Sequence, residues 1–367
     1  MKMKIIIASR RLNSQQSAPK CNVCLATALA KLGYETHVLT TLIAPDTHQE
    51  LREAKVVIHK TPRFSANTQL SPFLYTLHVQ KLKNSLSAGM VFGNGYTLFD
   101  DVTWVHFSRL AMIARLGSRH WKSYVGGVLE KLLYGTSRLL LAPSAVVAED
   151  LRKLYRLPSS KIVVQPHGVD TEYYRSIAER RKGTAGTEDE VCLLFVGADP
   201  IRKGFHLLLR SLGNVRDRRS LKLIAVGFDP DQEMRLLVEK LGLRKIVTFE
   251  KIVTTEKLGD LYQSSDIFVL PTLYDPFSIA TLEAMASGLP VVVSHYAGVK
   301  DILCNWHDSV LVNPFDINEF AEALSILAHD DKLRRKIGTN ARHTALRFSW
   351  ENVAKNMLKT FEKAFGR

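Results

Sequence analysis

Short apolar, β-branched runs alternate along this chain with stretches of helical period, and the whole alternation occurs twice. The first series of runs falls at residues 4–7, 36–39, 56–59, 90–92, 102–106, 139–141 and 162–164, with helical stretches such as 20–32 and 145–155 between them. After a polar segment the pattern restarts at 191–196, 222–226, 246–249, 267–270 and 291–294. Apolar strands joined by helices predict a parallel sheet covered on its faces by helices. The chain therefore reads as two α/β units: an N-terminal domain over 1–175, a linker over 176–190 and a C-terminal domain over 191–349. Residues 350–365 predict one more amphipathic helix. A length of 367 residues exceeds what a single core usually organises, in keeping with two domains. Neither series carries the G-x-G-x-x-G fingerprint, and the first run leads into Ser9-Arg10-Arg11 without a glycine. That argues against a nicotinamide or flavin dehydrogenase.

No stretch approaches the roughly 20 apolar residues that cross a bilayer, and the short apolar run after Met1 enters a folded pattern directly, unlike a signal peptide. The expected location is the cytoplasm. Four cysteines (Cys21, Cys24, Cys192 and Cys304) are too few and too scattered for a disulfide framework. Cys21 and Cys24 form a C-x-x-C, but with no second pair and no adjacent histidines they read as small buried helix residues, and no metal site is expected. Charge is the most informative bulk property. Residues 1–180 carry 24 Lys and Arg against 12 Asp and Glu, whereas residues 181–367 carry 26 against 24. Such asymmetry points to a polyanionic partner for the first half: an anionic membrane, a phosphorylated glycan or nucleic acid.

Residues 266–294 form the sharpest segment: strand, loop, helix, a Gly288-Leu289-Pro290 break, and strand again. The loop Thr272 to Pro276 ends at a helix N-terminus, where the backbone N–H groups of about Phe277 to Ala280 and the helix dipole favour an anion such as a diphosphate. Asp275 can cap that helix, and the bland alternative is that Asp275-Pro276 does no more than this. Glu283 lies two turns further in, among Leu282, Ala284 and Met285, where a buried carboxylate needs a partner; ligand hydroxyls could supply one. The second signal is a strand followed by Gly197-Ala198-Asp199-Pro200-Ile201-Arg202-Lys203-Gly204. Two adjacent cations at the carboxyl edge of an open α/β sheet suit a diphosphate leaving group, although cations in a surface turn are common.

Several motifs in one order give a specific resemblance: Ala142-Pro-Ser, Glu149-Asp-Leu, Val164-Gln-Pro-His-Gly-Val-Asp, Val196-Gly, Arg202-Lys-Gly, Val226-Gly, Val247-Thr-Phe, Asp275 to Glu283, and Phe348-Ser-Trp-Glu. The chain resembles family-4 glycosyltransferases of the GT-B fold, the group that includes lipopolysaccharide-core glucosyltransferases and phosphatidylinositol mannosyltransferases. The resemblance implies two Rossmann-like domains facing each other across a cleft, with residues 350–367 returning to the first. It implies retaining transfer of a hexose from a UDP-, GDP- or ADP-sugar, without metal or other cofactor. By the same resemblance Glu283 binds the ribose hydroxyls and Asp275 the donor sugar. Phe277, Ser278 and Ile279 offer backbone N–H groups to sugar and phosphate, Arg202 and Lys203 hold the diphosphate, and Gly197 and Ile252 complete the donor set. Asp275 stands where the family usually has glutamate, one methylene longer. Some relatives carry a further arginine where this chain has Ala198, which leaves Arg202 as the candidate.

In the first domain, Trp104-Val105-His106-Phe107-Ser108 resembles the family segment whose histidine faces donor and acceptor, so His106 is the catalytic candidate beside Arg202, Lys203 and Asp275. Gly93-Asn94-Gly95 reads equally as a close-approach loop and as an ordinary turn. The segment 109–134 interleaves Arg115, Arg119, Trp121, Lys122, Tyr124 and Lys131 with apolar residues. That composition suits an anionic membrane interface at the inner face of the membrane and a glycan or lipid-linked acceptor. Equally, Trp121, Tyr124 and Leu129 could be core residues, with only the cations exposed. Two other functions share parts of the pattern: a nucleic-acid-binding protein using the basic half, which lacks any recognised binding motif, and a sugar phosphorylase or epimerase on the same scaffold. The base, the sugar and the acceptor are not legible.

Overall fold

The computed structural model describes residues 3–14, 17–62, 71–117, 121–181, 190–217 and 221–366. The chain divides into two compact units, one built from Met1–Gly168 with Trp350–Arg367 and one from Val169–Ser349.

In the N-terminal unit the strands are β1 (Lys4–Ala8), β2 (Arg11–Leu12), β3 (Glu35–Thr40), β4 (Leu42–Ile43), β5 (Val57–Lys60), β6 (Met90–Gly93), β7 (Val102–Trp104), β8 (Leu139–Ala142) and β9 (Ile162–Val164). Seven of them make one sheet in the order β5-β3-β1-β6-β7-β8-β9, and β2 pairs with β4. All described pairings are parallel. β1, β6, β7 and β8 are buried along nearly their whole length, which is why they read as unbroken apolar runs. The predicted run 102–106 ends as a strand at Trp104, so His106 stands in the loop at the carboxyl edge of the sheet.

The C-terminal unit contains β10 (Val191–Val196), β11 (Leu221–Val226), β12 (Val247–Glu250), β13 (Ile267–Leu270), β14 (Val291–Ser294) and β15 (Val310–Val312). Their order is β12-β11-β10-β13-β14-β15, again parallel. The chain runs from β10 outwards to β12 and then restarts on the other side of β10 with β13. This is the doubly wound order of a Rossmann fold, and its topological switch point lies between β10 and β13. The two units are thus both Rossmann-like α/β sheets.

The domain boundary needs correction. Residues 169–175 belong to the C-terminal unit, and the start of the expected linker 176–190, up to Arg181, is part of the helix Thr171–Arg181. Burial explains it. Tyr174 is buried with its ring edge-on to Tyr262, and the Tyr173 hydroxyl donates to the Thr255 carbonyl at 3.1 Å, so this helix packs on the second core. The rest of the polar segment, 182–189, lies outside the described residues. The helix Trp350–Phe365 belongs to the N-terminal unit, where it packs on the helix Ser17–Lys31 and Phe361 meets Phe92 edge-on. Among the described residues no helix is long and apolar enough to cross a membrane.

Candidate functional site

The switch point brings together the two loops that the sequence singles out. The loop after β10 carries Gly197, Arg202 and Lys203, and the loop after β13 carries Thr272, Tyr274 and Asp275. Backbone stitches the loops to each other: Leu273 N–H donates to the Arg202 carbonyl at 2.8 Å, and Thr272 Oγ1 donates to the same oxygen at 3.0 Å. Gly204 makes the close approach possible. It adopts φ +70°, and a Cβ there would sit 1.9 Å from the Pro271 carbonyl oxygen, so only glycine fits.

At the centre is a buried ion pair. Lys203 Nζ donates to Asp275 Oδ2, with both residues almost fully buried, and Arg202 Nη1 lies 3.9 Å from the same oxygen. Arg202 is held in place by Asp199 Oδ2 at 3.2 Å and by the Tyr274 carbonyl at 3.0 Å. Burial alone pushes the Asp275 carboxyl up. The charges of Lys203 and Arg202, the Lys203 hydrogen bond and the Phe277 N–H more than offset this and hold it below the ordinary carboxylate range.

The helix that follows runs Ile279–Ala286, and its N-cap is Ser278, in the left-handed region at φ +74° with no side-chain capping hydrogen bond. Two sequence readings change here. Asp275 does not cap the helix, because it sits three residues too early. Its Oδ1 instead accepts from Phe277 N–H at 3.2 Å in a tight turn ahead of the helix, so Phe277 N–H is engaged by protein. Ser278, Ile279 and Ala280 are left at an N-terminus that no side chain caps, the arrangement that favours an anion.

Glu283 is 6% exposed and faces two tyrosines. Its Oε2 accepts from the Tyr262 hydroxyl at 3.1 Å, and Tyr174 also hydrogen-bonds its side chain. Burial, followed by the Glu283 charge, raises both tyrosines well above their ordinary range, so they remain donors. The buried carboxylate thus already has protein partners, which the sequence reading left to a ligand. The tyrosines lie 21 and 109 residues from Glu283 in the chain, and no local signal marks them. Ile252 stands at the carboxyl end of the edge strand β12, two strands from β10, and is 79% exposed.

His106 belongs to the other unit. Its Nε2 lies 3.0 Å from Asn94 Oδ1, within the Gly93-Asn94-Gly95 loop, and burial lowers its pKa to about 4, so the ring is neutral. The space at Gly93 is filled by protein: a Cβ there would lie 1.8 Å from Asp100 Oδ2. In the first loop, Arg10 lies over the Tyr96 ring, 5.0 Å from its centroid, and donates to its hydroxyl at 3.1 Å, while Arg11 is part of β2. In the basic segment Tyr124 is exposed, not core, and Leu129 is half-buried. Arg119 and the side chains of Trp121 and Lys122 lie outside the described residues.

Comparison with known proteins agrees with this architecture. Residues 22–173 match the family described as Glycosyltransferase Family 4, and residues 176–344 match Glycosyl transferases group 1. An uncharacterised glycosyltransferase of Methanocaldococcus jannaschii is 30% identical over 61% of this chain and 60% of its own length. An MMP alpha-(1->4)-mannosyltransferase of Mycolicibacterium hassiacum is 28% identical over 68% of this chain and 59% of its own. The matches to these curated relatives thus cover about three fifths of their length. Among solved structures, sucrose-phosphate synthase from Thermosynechococcus elongatus superposes with a TM-score of 0.78 over 100% of both chains at 20% identity, which speaks to fold. The chain belongs to the family-4 glycosyltransferases of the GT-B fold.

Proposed function

We propose that this protein transfers a hexosyl group, with retention of anomeric configuration, from a nucleotide diphosphate sugar to a glycan or lipid-linked acceptor at a membrane surface. The observation that carries the reading is the convergence of Arg202, Lys203, Asp275 and the uncapped helix start at Ser278 on one switch point. The diphosphate lies against Arg202, Lys203 and the N–H groups of Ser278 and Ile279, with Gly197 making room for the Lys203 stem, since a Cβ there would lie 2.9 Å from Lys203 Cγ. These groups stabilise the charge that develops as the sugar–phosphate bond breaks. Binding draws Lys203 towards phosphate and frees Asp275 to accept from sugar hydroxyls. Glu283 accepts from the ribose, held in place by Tyr262 and Tyr174. Exposed Ile252 offers an apolar surface to the base. His106, in the N-terminal unit, is neutral at physiological pH. A leaving phosphate oxygen takes the acceptor proton, so the step calls on no resident metal or cofactor. The family membership favours transfer over nucleic-acid binding, phosphorolysis or epimerisation.

Membrane association is supported by the helix Trp121–Thr136, on which Tyr124, Val128 and Leu132 recur every fourth residue and are 51%, 68% and 47% exposed, with Lys131 on the same helix. The inner, cytoplasmic face is the location this reading assigns.

The first test is thermal stabilisation by UDP, GDP, ADP and their sugar conjugates, with Glu283→Ala and Lys203→Ala beside the parent. A ligand that binds only the folded state stabilises it by about 2.7 kcal/mol at a hundredfold excess over Kd. Stabilisation by one nucleotide series that both variants lose supports the site and names the base. Folded protein that responds to none overturns it. Retention is read from the anomeric proton coupling of the product.

A further inference from the structure

Cys21 Sγ, a ring nitrogen of His106 and a ring nitrogen of His167 all lie within 4.8 Å of one another. The three residues come from the helix Ser17–Lys31, the loop after β7 and the loop after β9, so the fold assembles what 146 residues of sequence separate. We infer that this cluster, within the N-terminal unit, is a binding site for a zinc-type divalent transition-metal ion.

Ligand chemistry comes first. A thiolate and two imidazoles are the donor types that zinc and its neighbours prefer over hard cations. Zinc sits about 2.0–2.1 Å from nitrogen and about 2.3 Å from sulfur, so the donors close by about an ångström on binding. The histidine rings are near-parallel, 5.1 Å apart with an interplanar angle of 11°, and the closure is a rotation about the last, broad torsion of His167.

The second observation is the orientation of His106. Asn94 Nδ2 donates to the Ala8 carbonyl at 3.0 Å, which fixes the amide so that Oδ1 faces His106 Nε2 at 3.0 Å. An acceptor at that position places the proton on Nε2 and leaves Nδ1 with a bare lone pair. That Nδ1 is buried with no hydrogen-bond partner. A metal-binding histidine characteristically donates its other N–H to a fixed oxygen, and Asn94 supplies one before any ion arrives. Trp104, fully buried, packs on both histidines with centroids 4.9 and 4.6 Å away and keeps the site dry on that side. Gly168 sets the His167 backbone against Trp350, since a Cβ there would lie 2.6 Å from the indole. Binding displaces the Cys21 thiol proton to solvent and forms one metal–sulfur and two metal–nitrogen bonds; a fourth position is left for water.

Cobalt(II) is the probe, because its thiolate complexes absorb in the near ultraviolet. Reduced full-length protein titrated with Co2+ should bind one equivalent with a sulfur-to-cobalt charge-transfer band that Zn2+ abolishes. The band should vanish in Cys21→Ser and persist in Cys24→Ser, with circular dichroism confirming that each is folded. Asn94→Ala should bind at least about tenfold more weakly. The proposal is overturned by folded parent protein that gives no band, by a band that survives Cys21→Ser, or by an Asn94→Ala variant with unchanged affinity.

Discussion

The Lys203 ammonium and the Asp275 carboxylate pair in the interior of the C-terminal unit, each delivered by the loop that leaves a different strand of one topological switch point. Neither charge is there for stability alone, because a buried pair rarely stabilises more than an apolar pair of the same size. On the proposed function it is a pair held ready for exchange.

Removing one partner leaves the other charge buried. Lys203→Ala should therefore destabilise the protein by about 3 kcal/mol at pH 7 in urea unfolding, because Asp275, of its two cations, keeps only the more distant Arg202. Adding Asp275→Asn should recover most of the loss. The sign with pH follows from the depressed Asp275 carboxyl: its contribution is present above the unfolded value near 3.9 and is lost as pH falls. The gap between parent and Lys203→Ala should accordingly narrow below about pH 4. A gap independent of pH would show that Asp275 is not the group left unpaired.

Two glycines separate backbone strain from collision. Gly117 and Gly204 have nearly equal φ, +73° and +70°, but an added Cβ meets nothing within 4 Å at the first and the Pro271 carbonyl at 1.9 Å at the second. Gly117, at ψ 148°, lies in a positive-φ region that essentially only glycine occupies, so Gly117→Ala should cost backbone strain alone, about 1–3 kcal/mol. Gly204→Ala should cost well beyond that and weaken nucleotide binding as well, because the Arg202 loop must retreat from β13. Thermal melts with and without nucleotide distinguish the two, and equal costs would contradict the packing described.

Acid stability should reveal opposing titrations in the N-terminal unit. Burial lowers His106 to about 4 and His167 well below its ordinary value, so the unfolded chain binds more protons and stability falls as pH drops through about 6.5. Burial raises Asp100 to about 7, against the hydrogen bonds from Thr97 and Thr103. There the folded state binds more protons, and stability rises as pH drops from about 7 towards 4. Asp100→Asn removes the compensating group. Its stability should decline more steeply than the parent's between pH 7 and 4, by up to about 1.4 kcal/mol per pH unit. Parallel curves would mean that Asp100 does not titrate in that range.

Vesicle binding tests the exposed stripe. Val128→Asp with Leu132→Asp should reduce co-sedimentation with anionic phosphatidylserine vesicles at least tenfold, and about 0.5 M salt should weaken the parent's binding. Parent protein that fails to sediment with anionic vesicles would remove the membrane from the proposed function.

Much of this molecule is legible in one sequence because buried parallel strands are short, apolar and bounded. Residues 267–270 and 291–294 read at once as β13 and β14, whereas β15 is missed although β9, equally short, is read. Arg202, Lys203 and Asp275 were findable because each follows a recognisable strand, and the carboxyl edge of a doubly wound sheet is where ligands bind. Their pairing was not, since it depends on which strands are neighbours. The same limit hid Tyr262 and Tyr174 behind Glu283 and scattered Cys21, His106 and His167 along the chain. The capping role given to Asp275 failed for a local reason: Ser278 turns left-handed as the N-cap, and the helix starts at Ile279, four residues after Asp275.

The return of the helix Trp350–Phe365 to the N-terminal unit makes that unit discontinuous, with the whole C-terminal unit inserted between its parts. On the ribosome the order of completion is therefore reversed. The domain whose strands emerge first waits for Trp350 to close against Gly168 and for Phe361 to reach Phe92, while the inserted domain has all its strands earlier. A chain ending at residue 349 would carry a complete C-terminal unit and an N-terminal unit with the seats of Trp350 and Phe361 exposed.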